Sequence, residues 1–170
     1  MPRWFQRSPW RSAGRPSTAT PLLTSTGAGR MPPAAPHGDE GGVAVPSLAL
    51  RLPATPAAAP LVRHRVTAFA REHGAGPEVH SRIGPAVTEA VANAVMHAYP
   101  DGGGEVTCDC DVEHGVLEIV IADGGVGFGQ MDSPGLGIGL AIVAGCADRF
   151  WIHQGAEEPG VAVWMRFVLD

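Results

Sequence analysis

The sequence predicts an α+β fold, a two-layer sandwich with helices packed on one face of a mixed β-sheet. Three observations predict it. Two segments of helical apolar spacing follow one another with no strand between them. Two alternating segments joined by a short polar turn come next. After a glycine-rich loop and one short apolar helix, two further β-rich segments close the chain.

The elements follow in order. Leu48-Ala49-Leu50-Arg51-Leu52 alternates and reads as a strand. Pro53 to Pro60 is a turn and helix start. Leu61, Val62, Val66, Phe69 and Ala70 recur at helical spacing, and Gly74 stops that helix. A second helix covers Glu78 to Ala98, its apolar positions being Val79, Ile83, Val87, Val91, Ala94, Val95 and Ala98. Gly84-Pro85 interrupts this run. Proline in a helix interior removes a hydrogen bond, so a kink or a restart is expected there, with Pro85 in a first turn. Asp101 to Gly104 is a loop. Glu105 to Asp111 and Val116 to Ala122 are strands, joined by a hairpin at Glu113-His114-Gly115. Asp123 to Gly135 is a glycine-rich loop and Ile138 to Ala147 a short apolar helix. Phe150 to Ile152 and Val161 to Leu169 are the last strands, with a turn at Glu157 to Gly160.

The chain has 170 residues, room for one domain, which begins at residue 47. Residues 1–46 read as a tail. The first thirty carry Arg3, Arg7, Arg11, Arg15 and Arg30 and no acid, among Pro, Ser, Thr and Gly. Such a segment buries too little apolar surface to offset its ordering entropy. It also resembles a transit peptide. The preferred readings are a disordered extension and a start codon placed too early, with Met31 as one alternative start. Cys108, Cys110 and Cys146 have no metal-ligand spacing and read as buried free thiols in a reducing cytoplasm. No apolar run reaches the ~18 residues a membrane span needs. A net charge of −5 argues against nucleic acid as a partner.

The chemistry is carried by Glu89, Asn93 and His97. These three polar residues stand four apart inside the Ala/Val-rich run of the second helix. On a helix they form one stripe on a single face. A carboxylate, an amide and an imidazole in line can hold a hydrated cation and move a proton. The competing reading is the solvent face of an ordinary amphipathic helix.

Two glycine clusters follow. A strand runs into Asp123-Gly124-Gly125-Val126-Gly127. A dinucleotide fingerprint needs glycines at its first, third and sixth positions. From Gly125 the sixth position is Gln130, and from Gly135 it is Leu140, so both fail. A carboxylate at a strand end can instead accept a hydrogen bond from an exocyclic amine of a base, with glycines letting the backbone approach the ring. Gly135-Leu136-Gly137-Ile138-Gly139 leads into a helix, where glycine amides can cradle phosphates. The chain contains no lysine, which excludes the P-loop and the eukaryotic protein-kinase designs.

Taken in this order, the three motifs resemble the Bergerat-fold ATPases, the superfamily of gyrase, heat-shock chaperone, histidine kinase and mismatch-repair ATP domains. Glu89, Asn93 and His97 match its N box; Asp123, Gly125 and Gly127 match its first glycine box; Gly135, Gly137 and Gly139 match its second, continued by Leu140, Ile142 and Val143. The resemblance covers residues 47–169. Within the superfamily the chain is most similar to the RsbW-like anti-sigma-factor serine/threonine kinases. Its N box runs on into His97-Ala98-Tyr99-Pro100, and the segment Gln130 to Pro134 between the glycine boxes is very short.

The resemblance implies binding of ATP with Mg²⁺. Asn93 would ligate the metal, Asp123 would read adenine, and Gly125 and Gly127 would border the base. Gly135 to Gly139, with Leu136 and Ile138, would cover the phosphates, and His97 would hold the phosphate side or cap the helix end. Glu89 would be the general base. The implied activity is phosphorylation of a small anti-anti-sigma (STAS-type) partner together with sequestration of a sigma factor, by a cytoplasmic homodimer that contacts neither nucleic acid nor membrane. Two alternatives remain open on the residues: a non-catalytic ATP-gated binding protein, and a detached histidine-kinase catalytic domain. One departure stands out. The family places a threonine after a glycine on its last strand, where this chain has Gly160-Val161. Losing that hydroxyl is expected to weaken adenine recognition by about 1 kcal/mol.

Overall fold

The computed structural model describes residues 46–127, 136–154 and 159–169. The elements run β1 (Ser47–Pro53), α1 (Ala58–Glu72), α2 (Pro77–His97), β2 (Glu105–Glu113), β3 (Val116–Asp123), α3 (Leu136–Cys146), β4 (Arg149–Gln154) and β5 (Val161–Val168). The five strands form one sheet in the order β1-β2-β3-β5-β4. Every neighbouring pair is antiparallel, so the sheet is not mixed as the sequence suggested. Topology supplies the reason. Two helices in succession return β2 against β1, and β5 inserts between β3 and β4, the two strands that a single helix joins and sets parallel.

Strand alternation builds the core. One inward row runs across all five strands as Leu50, Cys108, Ile121, Val163 and Ile152. The next is Leu48, Cys110, Ile119, Met165 and Phe150. These side chains form one cluster with the buried faces of α1 (Val62, Val66, Phe69) and α2 (Ile83, Val87, Val91) and with Val143 of α3. Full burial of such a side chain is worth ~1.5–3 kcal/mol, which makes these rows the chief source of stability. Cys108 and Cys110 lie side by side in this core with Sγ atoms 3.8 Å apart, buried free thiols as predicted, whereas Cys146 is a free thiol that is only half-buried. Among the described residues no helix is long and apolar enough to cross a membrane.

Two local features differ from, or extend, the sequence reading. α2 runs unbroken through Pro85, with Pro77 in its first turn instead. Pro85 is exposed, and so is Ser81, whose carbonyl would have accepted the missing N–H bond. At the exposed surface the helix tolerates the lost bond, because solvent can reach that carbonyl, and needs no restart. The predicted hairpin turns on His114 and Gly115, both at positive φ (51° and 73°), the twist-matching geometry for a two-residue β-connection. Elsewhere Arg82 ties three elements together. It donates to the Cys146 carbonyl and to Asp148 Oδ1, each at 2.8 Å, while Asp148 Oδ2 accepts from the Val168 N–H at 2.7 Å. This clamp fixes the C-terminal end of α3 against α2.

The sheet face away from the helices carries an acidic strip. Asp111 lies across from Glu118 and next but one to Asp109. Burial, and then repulsion from Asp109, Glu118 and Glu113, lifts the Asp111 carboxyl from 3.8 to about 6. The folded chain therefore holds this proton after the unfolded chain has lost it. Stability from this group is complete below pH ~4 and falls as pH rises to about 6. Asp111→Asn is expected to raise the melting temperature at pH 7 by a few degrees. That corresponds to about 1 kcal/mol after discounting for the group's partial exposure. At pH 4 the two proteins are expected to melt together. Thermal melts at the two pH values check this, and a destabilised variant at pH 7 would overturn it.

Candidate nucleotide site

Three elements meet beside the C-terminal half of α2. Helical spacing puts Glu89, Asn93 and His97 on one face, and all three are half-buried. That disposes of the solvent-face reading, since the exposed side of this turn is marked by Met96, 70% exposed. Asn93 and His97 line a cavity whose apolar wall is Ala94, Ala98, Ile121, Leu140, Val161 and Val163. Asp123, Gly127 and Ala90 complete the lining. Glu89 lies one helical turn beyond Asn93, at the edge where α3 crosses. There Gly139 is packed so closely that a Cβ on it would come within 2.8 Å of Glu89 Oε2 and 3.1 Å of Asn93 Nδ2. The bare backbone of α3 thus rests directly on the carboxylate and the amide.

Asp123 ends β3 and is 8% exposed, the one buried charged side chain among the described residues. A buried carboxylate is costly unless hydrogen-bonded. Its Oδ1 accepts from the Gly125 N–H at 3.0 Å, and the backbone N–H of Val161 also donates to it. Burial raises its pKa above the ordinary value, and these two N–H donors pull it back down. Val161, the position where the sequence departs from the family, therefore still serves the aspartate through its backbone. Its side chain adds an apolar surface to the cavity.

The loop after Asp123 is bound to the end of α2. Val126 N–H donates to the Ala98 carbonyl at 2.9 Å, and Gly124 N–H donates to the Tyr99 hydroxyl at 2.9 Å. Gly125 approaches so closely that a Cβ would lie 2.0 Å from the Ala98 oxygen. Of the second glycine cluster, Gly135 lies outside the described residues. Leu136, Gly137 and Ile138 form the first turn of α3, and Gly139 follows against Glu89 and Asn93. A first helical turn leaves N–H groups without helical partners, which suits an anion there.

Asn93 Nδ2 is buried and without a hydrogen-bond partner. An orphaned amide in a cavity wall invites a ligand: its N–H₂ can meet a phosphate oxygen, or its oxygen a cation. No cluster of three or more metal-ligating side chains occurs among the described residues. The Asn93 amide oxygen could supply one ligand to a Mg²⁺ that keeps several waters and takes its other ligands from substrate phosphates. The arrangement as a whole is a small, largely apolar cavity lined by a hydrogen-bonded carboxylate, an amide and an imidazole, with Glu89 beside it where Gly139 of α3 packs.

The sequence pattern singled out Glu89, Asn93, His97, Asp123, Gly125, Gly127 and Gly139, and the fold gathers them around this one slot. Its apolar lining from β5, Val161 and Val163, was not singled out as such, although strand alternation two residues apart was the available signal. Tyr99 was quoted only as part of a motif.

Comparison with known proteins agrees with the geometry. Among curated proteins no relative matches the chain. Among solved structures, the RsbU and RsbW domains of Rv1364c from Mycobacterium tuberculosis are similar, with a TM-score of 0.58 and 26% identity over 73% of this chain. This chain spans 32% of that one, about a third of its length. The histidine kinase-like ATPase domain family matches residues 52–167, most of the described fold and the whole of the slot, and the chain belongs to that family.

Proposed function

We propose that the chain binds Mg-ATP in this slot and transfers the γ-phosphoryl group to a serine or threonine hydroxyl on a small anti-anti-sigma (STAS-type) partner, while holding a sigma factor when that partner is phosphorylated. The observation that carries the nucleotide part is the buried, hydrogen-bonded Asp123 in the wall of a largely apolar cavity that Asn93 and His97 also line. The kinase part is supported by the likeness to an RsbW-containing structure.

In this reading Asp123 accepts a hydrogen bond from the exocyclic amine of adenine, and the aliphatic wall sandwiches the ring. Asn93 would hold Mg²⁺, which when bound neutralises charge on the phosphates. The first turn of α3 covers the phosphate chain with its free N–H groups. Glu89 takes the proton from the attacking hydroxyl. His97 borders the phosphate side at the end of α2.

The test is transfer of labelled γ-phosphate from ATP to a STAS-type acceptor. Acid-stable label on serine or threonine is the expected result. Tight Mg-ATP binding with no transfer would replace the kinase by an ATP-gated binding protein, and acid-labile label would point to a histidine acceptor. A second measurement addresses the family departure. Val161→Thr restores a hydroxyl at a buried, cavity-lining position while keeping the backbone bond to Asp123. It is expected to tighten Mg-ATP binding about fivefold, as one added hydrogen bond would. Calorimetric titration reads this, and an unchanged affinity means the hydroxyl finds no partner there.

A further inference from the structure

Tyr99 does not line the slot, yet its hydroxyl is fully used. It donates to the Glu105 carbonyl at 2.7 Å and accepts from the Gly124 N–H at 2.9 Å. The first bond anchors the phenol to the start of β2. The second holds the residue directly after Asp123. Gly104 makes room for the ring, since a Cβ there would lie 2.2 Å from ring carbon Cε1. One residue before Tyr99, the Ala98 carbonyl takes the Val126 N–H. Between these two bonds sits Gly125, whose own N–H holds Asp123 Oδ1 at 3.0 Å. The chain of contacts therefore runs from Tyr99 to Gly124, to Gly125, to the Asp123 carboxylate. It links the end of α2, the helix that carries Asn93 and His97, to the carboxylate that shares their cavity.

We infer that Tyr99 is a positioning residue that sets base specificity: by fixing Gly124 it aims the Asp123 carboxylate at the base. This rests on the reading of the slot as an ATP site. A carboxylate discriminates adenine, which presents an exocyclic amine donor, from guanine, which presents a carbonyl at the corresponding position. That discrimination depends on where the carboxylate points. Phosphate contacts come from α2 and α3 and do not depend on Gly124. Releasing the loop is therefore expected to cost adenine recognition selectively and to spare the part of the affinity shared by all nucleoside triphosphates.

Tyr99→Phe removes the hydroxyl and keeps the ring against Gly104. The measurement is calorimetric titration of the wild type and the variant with Mg-ATP and Mg-GTP, alongside thermal melts. The wild type is expected to prefer ATP. In the variant the ATP dissociation constant is expected to rise about tenfold, with that for GTP unchanged within about twofold. A merely structural role would weaken both nucleotides together. Gly104→Ala is the second variant: it keeps the tyrosine but pushes the ring, and the hydroxyl with it, away from Gly124, and the same loss of ATP preference is expected. Retained preference in a folded Tyr99→Phe protein overturns the inference, and so does retained preference in Gly104→Ala if Tyr99→Phe fails to fold. A wild type that binds neither nucleotide overturns the ATP reading itself, a different and distinguishable failure.

Discussion

Glu89→Gln is expected to lower phosphotransfer by about 10²–10⁴-fold, the usual contribution of a positioned general base, while changing Mg-ATP affinity less than about threefold. The substitution isolates the proton-accepting role because the rest of the side chain's work survives it. Glutamine has the same length and shape, so the close approach of Gly139 to the Oε2 position is kept. Asn93, four residues on, keeps its place in the cavity wall. What is lost is the capacity to take a proton from a hydroxyl as it attacks. A drop in kcat with unchanged nucleotide affinity is the signature of an interaction made only in the transition state. Labelled transfer and calorimetric binding, measured on the same preparations, check the two halves. Equal labelling by variant and wild type would remove Glu89 from the chemistry and leave it as a packing partner of α3.

The parts of this site legible in the sequence were those set by local periodicity. Four-residue spacing alone places Glu89, Asn93 and His97 on one helical face, because 3.6 residues make a turn. Asp123 followed by glycines at the end of an apolar strand likewise fixes a carboxylate beside bare backbone. Strand alternation gave the inward rows of the sheet, Leu48, Leu50 and Leu52 on β1 among them. What was hidden depends on contacts distant in sequence or on the backbone. The direction of each strand follows from which strands become neighbours, and β5 inserting between β3 and β4 is not a local property. The uninterrupted helix through Pro85 depends on Ser81 facing water. Val161 supports Asp123 through an N–H that every residue but proline possesses, so its side chain carried no sign of it. Tyr99 reaches Gly124 across 25 positions, and no spacing rule connects them.

Gly125→Ala is expected to have the largest effect on the fold of any small substitution in the slot: a loss of about 3 kcal/mol in stability, and of base recognition with it. The added Cβ would stand 2.0 Å from the Ala98 oxygen and 2.5 Å from its carbonyl carbon. These are backbone atoms at the end of α2, where no side chain can swing aside. The loop must therefore move. In moving, it gives up the Val126 bond to the Ala98 carbonyl and the Gly125 bond to Asp123 Oδ1. Each ordinary hydrogen bond is worth about 1 kcal/mol, and leaving a buried carboxylate short of a donor adds roughly 1–3 kcal/mol. The neighbouring glycine supplies the control. At Gly124 a Cβ would meet only the Tyr99 hydroxyl, at 3.8 Å, and the residue is exposed. Gly124→Ala keeps its N–H and is expected to stay within about 0.5 kcal/mol of the wild type. Thermal melts of the two variants, run beside Mg-ATP titrations, separate a clash at one position from a general intolerance of side chains in this loop. Variants that melt together would show that the loop can leave the end of α2 at little cost, and Asp123 would then be held in place by Val161 alone.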